Sequence, residues 1–224
     1  MAFSDAQIAL RSIFRSLIEA LELSDPYTRG HSDRVASISV ALGLELQMTT
    51  RELEILQDAG ALHDIGKIGV SKEILNKPGS LTPEEYAEVK KHPVYGYNIL
   101  RPLDLPEVLD ITLRHHERLD GKGYPDGVTD YPPLVRVVQI ADVWDALTSD
   151  RPYRKGMSVT AARALMDPDR NEFGFDTDIL RKFIGMTEII FPETDDEAYD
   201  QMRLALHVTQ SLRGHKLVSV AVGF

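Results

Sequence analysis

The sequence predicts an all-α fold, an orthogonal helical bundle with a short C-terminal strand as its one departure. Three observations lead to it: apolar residues recur at helical spacing in segment after segment, capping and breaking residues fall at the segment ends, and no alternation of strands with helices is visible.

Leu10, Ile13, Phe14, Leu17, Ile18 and Leu21 set an amphipathic helix over about 5–23, and Asp25-Pro26 stops it because the residue before a proline avoids the helical region. Val35, Ile38 and Leu42 mark a second helix, and Leu53, Leu56 and Leu62 a third that runs up to His63-Asp64. In Thr82-Pro83-Glu84-Glu85 a capping hydroxyl, a first-turn proline and a reaching carboxylate stand in the order of a helix start. His92-Pro93 is expected to mark the break that follows. Pro106 opens a helix reaching His115 and His116, and 120–133, crowded with glycine and proline, is expected to be an irregular loop.

Leu134, Val137, Val138, Ala141 and Leu147 repeat on one face of the next helix, opposite a row holding Asp142 and Asp145. Shorter helices are expected over 158–166 and 177–184. Beyond about 193 come an acidic turn, a helix to Arg213 and the apolar run 217–222, which reads as the strand. A terminal apolar run of this kind is more often docked on its own domain or on a subunit partner than functional.

Composition narrows the function classes. With 224 residues and 43% hydrophobic content the chain can bury a core of one ordinary domain plus an extension. No run approaches the roughly 18 to 20 apolar residues of a membrane helix, and the first residues lack a basic segment followed by an apolar one, so a cytoplasmic protein with no membrane partner is expected. The absence of cysteine excludes disulfides, thiolate zinc sites and cysteine nucleophiles, and leaves nitrogen and oxygen as the only metal donors. A net charge of −10 argues against general nucleic-acid binding, which needs broad basic surfaces. A small anionic ligand is compatible with it where cations gather locally.

Of seven histidines, five fall in contexts that read as ligand positions: His31, His63, His92, His115 and His116. His207 and His215 read as surface or core residues, the usual lot of a lone histidine. Joined by Asp64 and Asp142, the five imply a metal cluster with imidazole and carboxylate donors. In His63-Asp64 an imidazole and a carboxylate stand side by side, and a carboxylate can bridge two cations about 3.5–4 Å apart. Lys67 shares their face if the helix persists, where its ammonium would hold a phosphate oxygen or stabilise a departing alkoxide; otherwise it is a solvated helix end. His115 and His116 point about 100° apart on a helix, so both reach a metal pair only near its end. Gly121-Lys122-Gly123 is a weak phosphate-loop signal that gains weight from following them. Asp142 and Asp145 share a helical face, and Arg151 and Arg154 add positive charge at the same mouth.

These residues resemble the HD-GYP family of the HD metal-dependent phosphohydrolase superfamily. The resemblance rests on Asp25-Pro26-Tyr27-Thr28-Arg29-Gly30-His31-Ser32 with Arg34-Val35, on His63-Asp64-Ile65-Gly66-Lys67-Ile68-Gly69, on His92-Pro93, and on His115-His116-Glu117-Arg118-Leu119-Asp120-Gly121-Lys122-Gly123-Tyr124-Pro125. It continues through Asp142 with Asp145-Ala146-Leu147 to Arg151-Pro152-Tyr153-Arg154. It divides the chain into an N-terminal helix (1–24), an HD-GYP catalytic domain (25–190) and a C-terminal extension (191–224), with no sensory domain expected before the first helix.

The resemblance implies that His31, His63, Asp64 and Asp142 bind one divalent cation and that Asp64, His92, His115 and His116 bind a second, with iron or manganese favoured. It sets Asp64 and Lys67 at the chemistry, and Lys67, Tyr124, Asp145, Arg151 and Arg154 at the phosphates and nearby substrate groups, while Glu117 and Asp120 orient ligands or the loop. Some relatives carry a third-metal glutamate where this chain has Tyr27, so two metals are expected. The implied activity is hydrolysis of a cyclic dinucleotide, cyclic di-GMP first and cyclic GMP-AMP next. A general HD nucleotide phosphohydrolase is the alternative among enzymes, and a catalytically silent cyclic-dinucleotide sensor or interaction module the alternative outside them. A homodimer and regulatory or diguanylate-cyclase-type protein partners are further expectations.

Overall fold

The computed structural model describes residues 5–25, 28, 30–150 and 155–190. The run 217–222 read as a strand, the C-terminal extension, Tyr27, Arg151 and Arg154 lie outside the described residues. Among those described there are α-helices and short 3-10 turns and no strand, and no helix is long and apolar enough to cross a membrane.

In chain order the helices are α1 (Asp5–Ser24), α2 (His31–Glu45), α3 (Thr50–Leu62), α4 (Lys72–Leu75), α5 (Pro83–Val89), α6 (His92–Leu100), α7 (Pro106–Arg114), α8 (Pro133–Thr148), α9 (Val159–Leu165) and α10 (Thr177–Ile190), with 3-10 turns at Ile65–Gly69 and Arg101–Leu103. Local chemistry sets their starts. Thr49 and Thr82 each accept from the backbone three residues on while Glu52 and Glu85 reach back to the cap N–H, so both α3 and α5 begin with a complete capping box. Gly30, at φ 71°, turns the chain into α2 from a left-handed conformation that other residues adopt with strain.

His92-Pro93 does not end a helix. α5 stops at Val89, and after Lys90 and Lys91 the pair forms the first turn of α6. A proline in the first turn lacks only an N–H that has no intrahelical partner there, so it begins a helix as readily as it follows one.

α8 is the central helix. Ten of its sixteen residues are buried, Asp142 and Asp145 among them, so the acidic row is enclosed rather than set on an outer face. A helix buried nearly all round belongs in the middle of a bundle. It packs on α2, which also lies along α3, while α6 packs on α7 and on the turn Ile65–Gly69. Gly66 permits that last contact: a Cβ there would run into the carbonyl oxygen of His92 and the backbone of Gly96. Two backbones therefore meet without a side chain between them, which brings the segment 63–69 directly against the start of α6. Trp144 and Phe183, both fully enclosed, close the other side of α8 edge to face, with ring centroids 5.2 Å apart.

Candidate metal centre

The seven predicted ligand residues come from five separate segments and meet at one place. His31 is the first residue of α2, His63 caps the end of α3 with Asp64 next to it, His92 is the first residue of α6, His115 and His116 follow α7, and Asp142 lies in α8. Helix ends deliver most of them, because a side chain at an end can leave the helical cylinder toward a shared point. That resolves the divergence of adjacent histidines on a regular helix: His115 and His116 lie past the last turn, with ring centroids 4.1 Å apart.

Two donor groups result. Single ligand atoms of His31, His63 and Asp142 lie within 4.8 Å of one another, as do those of Asp64, His92, His115 and His116. Asp64 joins the groups. Its Oδ2 stands 3.6 Å from Nε2 of His31 and 3.5 Å from Nε2 of His63, while its Oδ1 stands 3.2 Å from Nε2 of His92 and 3.9 Å from Nε2 of His115. Asp142 Oδ1 completes the first group at 3.2 Å from His31 and 3.7 Å from His63.

The rings are oriented from behind. Nδ1 of His63, His92 and His115 donates to the carbonyls of Gly60, Val89 and Thr112 at 2.7–2.8 Å, each three residues back. His31 uses a carboxylate instead, with Nδ1 2.7 Å from Oδ2 of Asp145. A ring that donates through Nδ1 keeps the Nε2 lone pair, and outer partners of this kind are what orient metal-binding imidazoles. Among the described residues His116 has no such partner; its ring stacks on Tyr124 with centroids 4.7 Å apart and planes 27° from parallel.

Charge and burial act together here. Burial drives the pKa of His115 well below its usual value, with His116 and His63 adding to the effect, and burial and His92 bring His116 down to about 3. These rings are neutral donors. Burial also opposes a charge on His31, but Asp142, Asp145 and Asp64 overcome it and raise its pKa well above 6.5. Asp64 and Asp142 remain ionised despite burial, Asp64 held down by Lys67 and His63 and Asp142 by His31 and His63. The centre thus offers ionised carboxylates beside the neutral rings of His115 and His116 in an enclosed space, and a cation binding at His31 would displace its proton, which together make the donor set of a divalent cation site. His63 provides the direct test of fit: it is fully buried, and its Nε2 faces the cluster with no hydrogen-bond partner. An orphaned buried nitrogen is costly unless it has a ligand to bind.

Lys67 reaches the cluster by a different route from the one expected. The α-helix ends at Leu62 and the chain tightens into the 3-10 turn, whose three-residue repeat sets Lys67 over Asp64, with Nζ 2.6 Å from Oδ2. Asp145 is 1% exposed and lies behind His31, with its carboxylate taken by His31 Nδ1, by the Arg34 guanidinium and by the Ser149 hydroxyl, while Nε2 of the same ring is turned to Asp142 and Asp64. Spacing set it on the same helical face as Asp142 but carried no information on what packs there.

Four supporting residues escaped the sequence reading or received no defined partner in it. Arg34 sits one turn after His31 and fixes Asp145. Gln139 donates to the carbonyls of Arg114 and Glu117 at 3.1 and 2.7 Å, tying α8 to the end of α7. Glu117, 2% exposed, accepts from the backbone N–H groups of Asp126 and Gly127 at 2.7 and 3.1 Å and so folds the loop that carries Tyr124 back over His116. Asp120 pairs with Arg118 and accepts from the Lys122 N–H, shaping the same loop. Of these, Arg34 had a readable signal, a cation one helical turn beyond a ligand histidine.

Comparison with known proteins agrees with this geometry. A family model described as an HD domain matches residues 15–179. A cyclic di-GMP phosphodiesterase of Pseudomonas aeruginosa is 41% identical over 170 residues, covering 73% of this chain and 40% of its own length. A 3'3'-cGAMP-specific phosphodiesterase of Vibrio cholerae is 38% identical over 161 residues, covering 70% of this chain and 35% of its own length. This chain therefore spans less than half the length of those relatives. Among solved structures, an HDG"Y"P protein from Bdellovibrio bacteriovorus superposes with a TM-score of 0.58 at 25% identity, over 70% of this chain and 51% of its own. The match across most of the chain and the His-Asp cluster at its centre lead to one assignment: this chain belongs to the HD-domain family and, within it, to the HD-GYP group.

Proposed function

We propose that this chain is a metal-dependent phosphodiesterase that hydrolyses a cyclic dinucleotide, with cyclic di-GMP the preferred substrate. The observation that carries the reading is the position of Asp64, whose two oxygens address two separate donor groups. On this reading His31, His63, Asp64 and Asp142 hold one divalent cation and Asp64, His92, His115 and His116 a second, with iron or manganese favoured. Bound there, the cation pair supplies Lewis-acid polarisation of a phosphoryl oxygen and a hydrolytic water of lowered pKa.

The chain's own groups do the rest. The buried imidazoles and their carbonyl and carboxylate partners hold the donor geometry before substrate arrives. Lys67, whose charge is maintained by Asp64 against burial, neutralises charge developing at the scissile phosphate and its departing ribose oxygen. Tyr124 is part of the wall of the site, and burial raises its phenol pKa, so it acts as a neutral hydrogen-bonding ring. Arg151 and Arg154 complete the phosphate contacts through the family resemblance. Two cations are expected, since Tyr27 stands where a third-metal glutamate occurs in some relatives.

Cyclic GMP-AMP is the second reading, supported by the naming of the Vibrio relative. A silent sensor is less well supported, because a binding module has no chemical need for a complete donor set. The test is metal analysis of anaerobically purified protein together with product analysis on cyclic di-GMP, cyclic GMP-AMP and bis(4-nitrophenyl) phosphate. Cleavage of a cyclic dinucleotide that depends on the metal supports the proposal; cleavage of the generic diester alone moves the chain to the general phosphohydrolases, and binding without cleavage makes it a sensor.

A further inference from the structure

A cyclic dinucleotide carries two phosphates, and the donor cluster accounts for only the one being cleaved. Resting on the function proposed above, we propose that Lys90, held between Tyr86 and Tyr124, receives the second, uncleaved phosphate and selects two-phosphate substrates over simple phosphodiesters. Its Nζ lies 4.8 Å from the centre of the Tyr86 ring and 5.4 Å from that of Tyr124. Tyr124 is in turn stacked on His116, so a single ring separates this ammonium from the donor cluster. The backbone ties them as well: Lys90 caps the end of α5 two residues before His92.

Charge supports the assignment. Lys67 is engaged by Asp64 at 2.6 Å, Lys91 by Glu88 at 2.6 Å and Lys122 by Asp120 at 3.7 Å. Among the described residues no carboxylate stands within ion-pair distance of Lys90, and its polar head meets two ring faces instead. A cation over ring faces is held in position while its N–H donors stay open to a ligand, and a lysine ammonium binds phosphate as a point charge. In a protein of net charge −10, a cation one ring away from the cluster that has no carboxylate partner among the described residues suits an anion. The competing account is a lysine attracted to the carbonyl end of α5, which would affect stability and leave substrate selection untouched.

The experiment measures kcat and KM of the full chain, as wild type, Lys90→Gln and Lys90→Arg, on cyclic di-GMP and bis(4-nitrophenyl) phosphate, with metal content determined for each. For Lys90→Gln the ratio of kcat/KM for cyclic di-GMP to that for bis(4-nitrophenyl) phosphate falls about tenfold or more, chiefly through KM, at wild-type metal content. Lys90→Arg recovers most of the ratio, and added salt raises the cyclic di-GMP KM of the wild type more steeply than that of Lys90→Gln. An unchanged ratio in Lys90→Gln overturns the proposal while wild-type turnover of cyclic di-GMP leaves the function standing. A wild type that cleaves only bis(4-nitrophenyl) phosphate overturns both.

Discussion

Asp145 accepts a hydrogen bond from Nδ1 of His31 at 2.7 Å across 114 positions of sequence. The bond decides which nitrogen of His31 is turned toward Asp142 and Asp64. Burial pushes the pKa of Asp145 up, but His31 and Arg34 outweigh it and bring it down to about 2, so the carboxylate is a permanent acceptor at neutral pH. Asp145→Asn is expected to weaken cation binding about 10- to 100-fold with the helical fold retained, as read by metal titration beside circular dichroism. A titration matching the wild type would show that Asp145 is only a packing residue.

Asp64 and Asp142 are both carboxylates of the cluster, and the geometry separates their roles. Asp64→Ala is expected to lose both cations because its oxygens address both donor groups, whereas Asp142→Ala removes a donor from one group and leaves the other complete. Metal per chain, measured by mass spectrometry on folded protein, distinguishes them. Full occupancy in a folded Asp64→Ala protein would end the bridging assignment.

For Lys67→Ala the expectation is retained metal and a fall in kcat of about 100-fold, larger than any change in KM, because the ammonium acts on charge that develops during the reaction. If kcat is unchanged, the lysine serves only to neutralise Asp64, with which it pairs at 2.6 Å.

Asp58, on α3 away from the cluster, carries an unfavourable charge. Burial raises its pKa above 3.8, attraction by Arg11 works against that, and repulsion by Glu54 adds to it. A carboxyl with a raised folded-state pKa holds its proton more tightly when folded, so its effect is favourable in acid and turns to a cost as the pH rises through the folded value. Its place in the last turns of α3 adds repulsion from the carbonyl end of the helix. Asp58→Asn should therefore stabilise the protein at pH 7 by about 0.5 kcal/mol, with the gain vanishing in acid below the unfolded pKa. Thermal melts at two pH values check it, and a lower melting temperature at pH 7 would contradict it.

The candidate ligands were legible because their contexts are local: His63 beside Asp64, His115 beside His116, and His92 before a proline each stand out within a few residues. The helix start at Thr82 belongs to the same class of short-range chemistry, and the structure adds a second capping box of the same kind at Thr49. What lay beyond reading depended on contacts made far along the chain. Nothing near Asp145 in sequence announces Arg34, nothing near Glu117 announces that its carboxylate closes the loop at Asp126 and Gly127, and the glycine pattern alone does not say that Gly66 meets the carbonyl of His92. The start of α6 was hidden for another reason, since a first-turn proline is compatible with either a beginning or an end.

The span between His31 and Asp145 also bears on how the molecule is made. Contacts so distant in sequence must close a large loop before they yield any return, so they form late and slowly compared with the helices they join. During synthesis the first helices and His31 leave the ribosome long before α8 exists to receive them, and the growing chain meanwhile exposes the apolar sides of α2 and α3. The interval before α8 arrives is thus the stage at which a nascent chain is most open to aggregation and to capture by chaperones.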